Sequence, residues 1–311
     1  MLKIPKVVIL GAGMSAVACA ENLSDSFQVK LHEKSRGVGG RLAAKRFHQT
    51  KFHFGAQFCT SNNPAFEELL KRNNAKPFIG AAFDCAAGNE LNTDSYFIHP
   101  DGMHSLIKES AKHLDINFED KCVEVDDKKN IVSFENGLKV PFDILISSLP
   151  LPQSQEFLNF PVMPEVTFEP CIAVGLIIDC NEPLKYNAYK NINKNIAWAG
   201  SSKFFNSEMV ETWVIQLSSQ ASRKMFDVED EMLTEIASNG LQELLNDEIT
   251  VQDSSIFKWK YAQCNRSSNN QKFVQLKDNI FAIGDWNISP RIESAFLSGK
   301  ALANYIVSKK Q

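Results

Sequence analysis

The chain has 311 residues, 44% of them hydrophobic and 23% charged, enough for two domains or for one large domain carrying an insertion. A net charge of −4 provides no basic field for nucleic acid or an anionic membrane, so a small-molecule partner is the default expectation. Seven dispersed cysteines without C-x-x-C spacing, and six histidines without an H-x-x-x-H pair, predict neither a disulfide framework nor a metal site.

Lys3 and Lys6 precede an apolar run at 7–10, but Gly11 breaks it after four residues, too short for a secretion signal. No later stretch approaches the ~18 apolar residues of a membrane span. A soluble, cytoplasmic protein with reduced thiols is expected.

Residues 6–10 form a β-branched apolar run bounded by glycine, which predicts a buried parallel strand. Residues 14–23 follow with Ala16, Ala20 and Leu23 at helical spacing, and residues 28–33 alternate Val29 and Leu31 with polar neighbours. Strand, glycine turn, helix and strand compose one βαβ unit.

Residues 122–125, 131–135 and 138–140 are predicted strands, with Asn136-Gly137 as a hairpin turn between the last two. Another apolar strand covers 142–149 and stops at Pro150 and Pro152. The middle of the chain has a different design. Segments 172–178, 196–199, 212–218 and 255–261 are strand-like and rich in aromatics, and 230–245 is an amphipathic helix. An antiparallel sheet backed by a helix is expected there. Residues 266–271, rich in Ser and Asn, read as an exposed loop. A short buried strand at 279–283 and a helix at 292–309 close the chain.

The turn Gly11-Ala12-Gly13-Met14-Ser15-Ala16 fits the G-x-G-x-x-G/A fingerprint in its required setting between strand and helix. Gly11 permits a tight turn, Gly13 lets a pyrophosphate approach bare backbone, and Ala16 allows close packing. The helix N-terminus at Met14 and Ser15 adds unpaired N–H groups and partial positive charge. Glu33, about twenty residues on, is placed to accept ribose hydroxyls, which disfavours a 2′-phosphate. The turn alone does not separate FAD from NAD.

Lys34 and Arg36 then lead into Gly37-Val38-Gly39-Gly40-Arg41, an uncovered backbone between cationic arms suited to phosphate and a planar ring. A flexible surface loop is the competing reading. Here E-K-S-R-G-V-G-G-R resembles the segment after the second strand in the FAD-dependent amine-oxidase superfamily, and more narrowly the renalase-like flavoproteins.

Further segments match that family in order. Phe54-Gly55-Ala56-Gln57-Phe58-Cys59-Thr60 is similar to its D-x-G-A-Q-Y-F-T block, and Gly102-Met103 with Leu106 to its G-M-x-x-L. Trp259-Lys260-Tyr261-Ala262 resembles its W-x-Y-A strand. Gly284-Asp285-Trp286, with Arg291 through Gly299, resembles its G-D-W…R-V-E-G-A-x-L-S-G ending. The match is strong at both ends and faint between Leu151 and Asp253. Two positions depart: the acidic residue before G-A-Q falls at His53 or its neighbour, and Ser294 replaces a glycine.

The resemblance implies a Rossmann-type α/β FAD-binding domain from residues 1–60, 100–152 and 275–311, with an inserted α+β substrate domain from 61–99 and 153–274. It implies non-covalent FAD, since no cysteine follows Gly284-Asp285. Cofactor contacts are expected from Gly11, Gly13, Met14, Ser15, Ala16, Glu33, Lys34, Arg36, Gly40, Arg41, Gly55, Ala56, Gln57, Val123, Gly284, Asp285, Arg291, Ile292 and Ala295. Asp285 is expected on the ribityl chain and the helix start near Ile292 at the N1–C2=O edge, where positive charge favours reduced flavin.

Gln57, Trp213, Trp259 and Tyr261 are the pocket candidates, with Trp198, Tyr189 and Tyr96 as further aromatics for stacking a flat substrate. Plain core is the competing reading for each. Lys258 and Lys260 are expected on the face opposite Trp259 and Tyr261. The implied activity is oxidation of mis-reduced 2- or 6-dihydro-NAD(P) by hydride transfer, with oxygen as acceptor and hydrogen peroxide as product. The alternatives are an amine oxidase or desaturase, or a flavin-binding redox sensor or scaffold without turnover.

Overall fold

Lys6–Leu10 runs through the centre of a six-stranded sheet, and Val7, Val8, Ile9 and Leu10 are all buried because both faces of that sheet are covered. The strand order is Ile116–Phe118, Gln28–Glu33, Lys6–Leu10, Ile144–Ser147, Ile280–Ala282, Val274–Lys277. Neighbours are parallel except the final pair, which is antiparallel. Segments from both ends of the chain therefore meet in one sheet. The computed structural model describes residues 4–23, 26–48, 50–158, 165–179, 185–204, 211–245, 248–265 and 271–310. The expected loop at 266–271 thus lies outside the described residues except for Gln271.

Met14–Leu23 and the C-terminal helix Ile292–Lys310 pack side by side on this sheet. The approach is close because Gly299 has no Cβ; one there would strike Ser15 O and lie 3.0 Å from Cys19 N. Pro64–Arg72 starts with Pro at its first turn and an Asn63 cap whose side chain accepts from Ala65 N, and it buries Phe66, Leu69 and Leu70 in the same apolar cluster.

A seven-stranded sheet stands beside the first, in the order Thr250–Cys264, Phe168–Asp179, Thr212–Leu217, Ile196–Ser201, Ala188–Lys190, Ala82–Asp84, Asn89–Glu90. All its pairs are antiparallel except Ala188–Lys190 with Ala82–Asp84. One face carries Ile172, Val174, Leu176, Trp213 and Ile215 against Leu233, Ala237 and Leu241 of helix Asp230–Leu245. The other carries Ala173, Val214, Phe257 and Trp259 against Phe52 and Phe54. Alternation along each strand fixes which residues reach which side.

Cys122–Asp126, Ile131–Phe134 and Lys139–Pro141 form a small antiparallel sheet, with Gly137 at φ 86° in the expected Asn136-Gly137 turn. Among the described residues, no helix is long and apolar enough to cross a membrane.

Candidate active site

Two glycine segments lie face to face at the C-terminal edge of the parallel strands. Gly11 takes φ 95°, and a Cβ there would meet Ser148 Oγ at 2.5 Å, so the turn needs glycine for both conformation and space. Gly13 is different: a Cβ would find nothing within 4 Å and would project into open cavity. Gly40, at φ 53°, brings its own Cβ direction to 3.5 Å from Gly13 Cα, and Gly39 N donates to Ala12 O at 3.0 Å. The 37–41 loop is thereby folded over the first turn.

Glu33 ties these parts together. Its Oε2 accepts from Ala12 N and its Oε1 from Ser35 N, both at 2.8 Å, while the residue stays buried. An ionised carboxylate has about four lone-pair sites, so two bonds leave it acceptor capacity.

Arg41 reaches across to Asp285. Its NH1 donates to Asp285 Oδ2 at 3.0 Å and to Ala262 O at 3.1 Å, and its NH2 donates to Asp285 Oδ1. Burial by itself lowers the guanidinium's pKa, but the adjacent Asp285 charge and hydrogen bonds outweigh it and hold Arg41 above its ordinary value. Cys264 Sγ lies 3.6 Å from Asp285 Oδ2, and burial first, then the Asp285 charge, push this thiol up to about 12.

Gly55 packs on the backbone of this loop: a Cβ would strike Arg41 O and sit 2.9 Å from Leu42 C. Ala56 N donates to Arg41 O at 3.0 Å and Gly55 N to Ala43 O at 3.1 Å. The sheet side holds the same peptide. Trp259 Nε1 donates to Phe54 O at 3.1 Å, and Gln216 Nε2 donates to Phe54 O and Gly55 O at 3.4 and 3.2 Å.

These elements enclose one cavity of about 720 Å³, running from Gly11 and Gly13 past Arg41 and Asp285 to Gln216, Phe257, Trp259 and Tyr261. That size falls within the ~300–1,000 Å³ range of cofactor and ligand sites. Bare backbone at Gly13, two helix starts at Met14 and Ile292, and an aromatic far wall fit an extended dinucleotide ending in a flat ring.

A sequence model of the flavin containing amine oxidoreductase family matches residues 73–307, and one of the NAD(P)-binding Rossmann-like domain matches residues 9–72. The chain belongs to the flavin containing amine oxidoreductase family. The family is one of flavin-dependent oxidoreductases, and part of this chain is similar to renalase. Renalase of Mus musculus is 27% identical over 169 residues, which cover 49% of this chain and 48% of that protein, so the match spans about half of the relative.

In fold, this family member is similar to a putative protoporphyrinogen oxidase from Exiguobacterium sp. 255-15, with a TM-score of 0.81 at 10% identity over 99% of this chain and 100% of the other. Reduced UDP-galactopyranose mutase gives 0.79 at 11% over 99% and 95%. Putrescine oxidase bound to putrescine gives 0.76 at 13% over 98% and 99%.

Of the residues expected at the cofactor of this flavoenzyme, Gly11, Gly13, Met14, Ser15, Glu33, Lys34, Gly40, Arg41, Gly55, Ala56, Asp285, Arg291, Ile292 and Ala295 line the cavity. Arg291 does so with its guanidinium committed to Thr60 and Glu293. Five others do not line it. Ala16 is fully buried under the turn, and Arg36 points into solvent. Val123 is 48% exposed at an irregularity of the small sheet. Gly284 lies behind Asp285, its N–H given to Ser298 Oγ at 3.0 Å. Gln57 is buried, its Oε1 accepting from Trp198 Nε1 at 2.7 Å and its Nε2 donating to His53 O.

The aromatics divide in the same way. Trp259 and Tyr261 line the cavity, but Trp213 and Tyr189 belong to the core on the opposite face of the sheet. Trp198 is spent on Gln57, and Tyr96 stacks on Phe58 with centroids 4.1 Å apart. Lys258 and Lys260, expected on the opposite face, border the cavity too: the Lys258 ammonium donates to Val228 O at 2.8 Å, and Lys260 Nζ lies 5.3 Å from the Tyr261 ring centroid. Sequence reasoning missed Gln216 and Phe257; Phe257 shares the period-2 stripe of Trp259 and Tyr261, whereas no local signal marked Gln216.

Proposed function

We propose that this FAD-dependent oxidoreductase takes a hydride from a mis-reduced (2- or 6-dihydro) nicotinamide dinucleotide and passes the electrons to oxygen, releasing NAD(P)+ and hydrogen peroxide. The observation that carries this reading is the make-up of the cavity's far end. Among the described residues lining the cavity, the carboxylates are Glu33, at the glycine turn, and Asp285, already paired with Arg41. A protonated amine needs a counter-charge in a desolvated site. A flat, neutral dihydropyridine needs stacking area, which Phe257, Trp259 and Tyr261 supply. The likeness to renalase points the same way.

FAD, when bound, supplies the two-electron acceptor, while the protein supplies placement, water exclusion and charge. Gly11, Gly13, Met14 and Ser15 hold the pyrophosphate with backbone N–H groups. Glu33 accepts ribose hydroxyls with its remaining lone pairs, and Lys34 lies alongside. Gly40, Arg41, Gly55, Ala56 and Asp285 would hold the rest of the cofactor, and the helix start at Ile292 would offer it a positive end. The segments 1–60, 100–152 and 275–311 act as the FAD-binding domain and 61–99 and 153–274 as the substrate domain, a division supported by the origins of the strands in the two large sheets. A reducing compartment such as the cytoplasm suits the six free cysteines among the described residues.

An amine substrate is the second reading, favoured by the fold shared with a putrescine-bound oxidase. The yellow protein, mixed without oxygen with dihydronicotinamide isomers and separately with amines, separates the two. Rapid bleaching by the isomers is expected. Bleaching by amines alone refutes the proposal in favour of amine oxidation, and silence with both refutes it in favour of a sensor or scaffold.

A further inference from the structure

We propose that Gln216 is a specificity-determining residue that reads an N–H donor on the substrate, which under the function proposed above is the ring carboxamide of the nicotinamide. Gln216 lies on strand Thr212–Leu217, paired with Ala173 on one side and Trp198 on the other; Ala173 pairs in turn with Phe257. Strand pleating puts Gln216 and Phe257 on the same face of the sheet, and both line the cavity.

Chemistry decides which way its amide points. The two atoms it meets, Phe54 O and Gly55 O, are both carbonyl acceptors at 3.4 and 3.2 Å, so the NH2 end must face them. The Trp259 indole donates to Phe54 O as well, so the 54–55 peptide is held from two strands and does not yield. Oε1 is left with no protein partner among the described residues, and it is not sealed in the interior, since the half-buried residue borders the cavity.

The result is a hydrogen-bond acceptor with a fixed direction, set in an aromatic wall. Lys258, two strands away on Thr250–Cys264, is turned to Val228 O and Asp230 and does not supply a donor to it. A site of this kind discriminates against ligands that lack the matching N–H, because the acceptor is then buried unpaired. A carboxamide presents such a donor beside a flat ring.

The test uses the yellow wild-type protein and two unreactive probes, NAD+ and its 3-acetylpyridine analogue, in which a methyl replaces the amide NH2 while the carbonyl stays. Binding is read as perturbation of the flavin absorbance. Wild type is expected to bind NAD+ roughly three- to tenfold more tightly, the value of one neutral hydrogen bond. In Gln216→Leu the ratio is expected to fall to about one with the flavin retained, and Gln216→Met serves if the leucine variant does not purify. Equal affinities in wild type, or an undiminished ratio in a yellow variant, overturn the Gln216 assignment alone. No spectral change with either probe overturns both this assignment and the dihydronicotinamide reading.

Discussion

Arg41 and Asp285, 244 positions apart in the chain, meet as a two-pronged ion pair on the wall of the cavity. The pair joins the loop that covers the first glycine turn to the short 3-10 turn preceding the C-terminal helix. Arg41 suits the position because its planar fork matches a carboxylate, and a third bond to Ala262 O fixes its plane. Arg41→Met, Asp285→Asn and the double variant therefore form an informative cycle. Unfolding free energies should be non-additive, with a coupling of about 0.5–3 kcal/mol. Additive losses would show that the two groups act independently.

Gly13 and Gly299 are both glycines of the nucleotide-binding fold, yet they should fail differently. Gly13→Trp places its side chain in open cavity, so the protein should fold with stability within about 0.5 kcal/mol of wild type and purify colourless. Gly299→Leu drives a side chain into Ser15 O between two helices and should cost about 1–3 kcal/mol or more in urea unfolding. A fully yellow Gly13→Trp protein would contradict the proposed phosphate site.

Glu33 holds the turn and is also assigned to the ribose. Glu33→Ala should weaken FAD by roughly 1–3 kcal/mol, the scale of a charged hydrogen bond. Apoprotein stability should drop too, since Ala12 N and Ser35 N lose their acceptor. Unchanged flavin affinity, measured by fluorescence titration, removes the ribose role and leaves only the structural one.

Two buried histidines predict acid sensitivity. Burial, and then the nearby His104 and Lys51, lowers His53 to about 3; burial, and then Lys51 and Lys108, lowers His104 to about 4. In the unfolded chain both rings take up protons near pH 6.5. Between those limits the unfolded state binds more protons, so stability should fall as pH drops below about 6.5, by about 2 kcal/mol per ring at pH 5. His53→Leu should flatten part of this slope. Urea midpoints that do not move between pH 7 and 5 would contradict it.

The thiols nearest the cavity are poor nucleophiles. Burial pushes Cys171, on the cavity wall, and Cys264, beside Asp285, up to about 12. Acid precipitation should release all the yellow colour into the supernatant, and colour kept in the pellet would reveal a covalent tether.

Local order was legible in the amino-acid string wherever a short stretch carries its own physics. The strand and helix bounds of 6–10, 14–23, 28–33 and 230–245 appear as read, because a buried strand, a glycine turn and an amphipathic face are each fixed by neighbours in sequence. The two ends of the cofactor cradle were equally visible as motifs. The two-residue strands Cys59–Thr60, Lys76–Pro77 and Asn89–Glu90 were not, since such short pairings exist only through their partners.

What only the tertiary structure decided is which side each middle-sheet residue faces. Trp213 and Trp259 look alike in a sheet with apolar residues on both faces; helix Asp230–Leu245 covers one of them and the cavity receives the other. The same holds for amides. Gln57 is consumed by Trp198, while Gln216 spends its nitrogen on the 54–55 peptide and leaves its oxygen without a partner among the described residues, an assignment set by partners 141 and about 160 residues away. Composition and periodicity determine that a side chain is buried, but its hydrogen-bond partner depends on contacts between distant segments, and those exist only in the assembled fold.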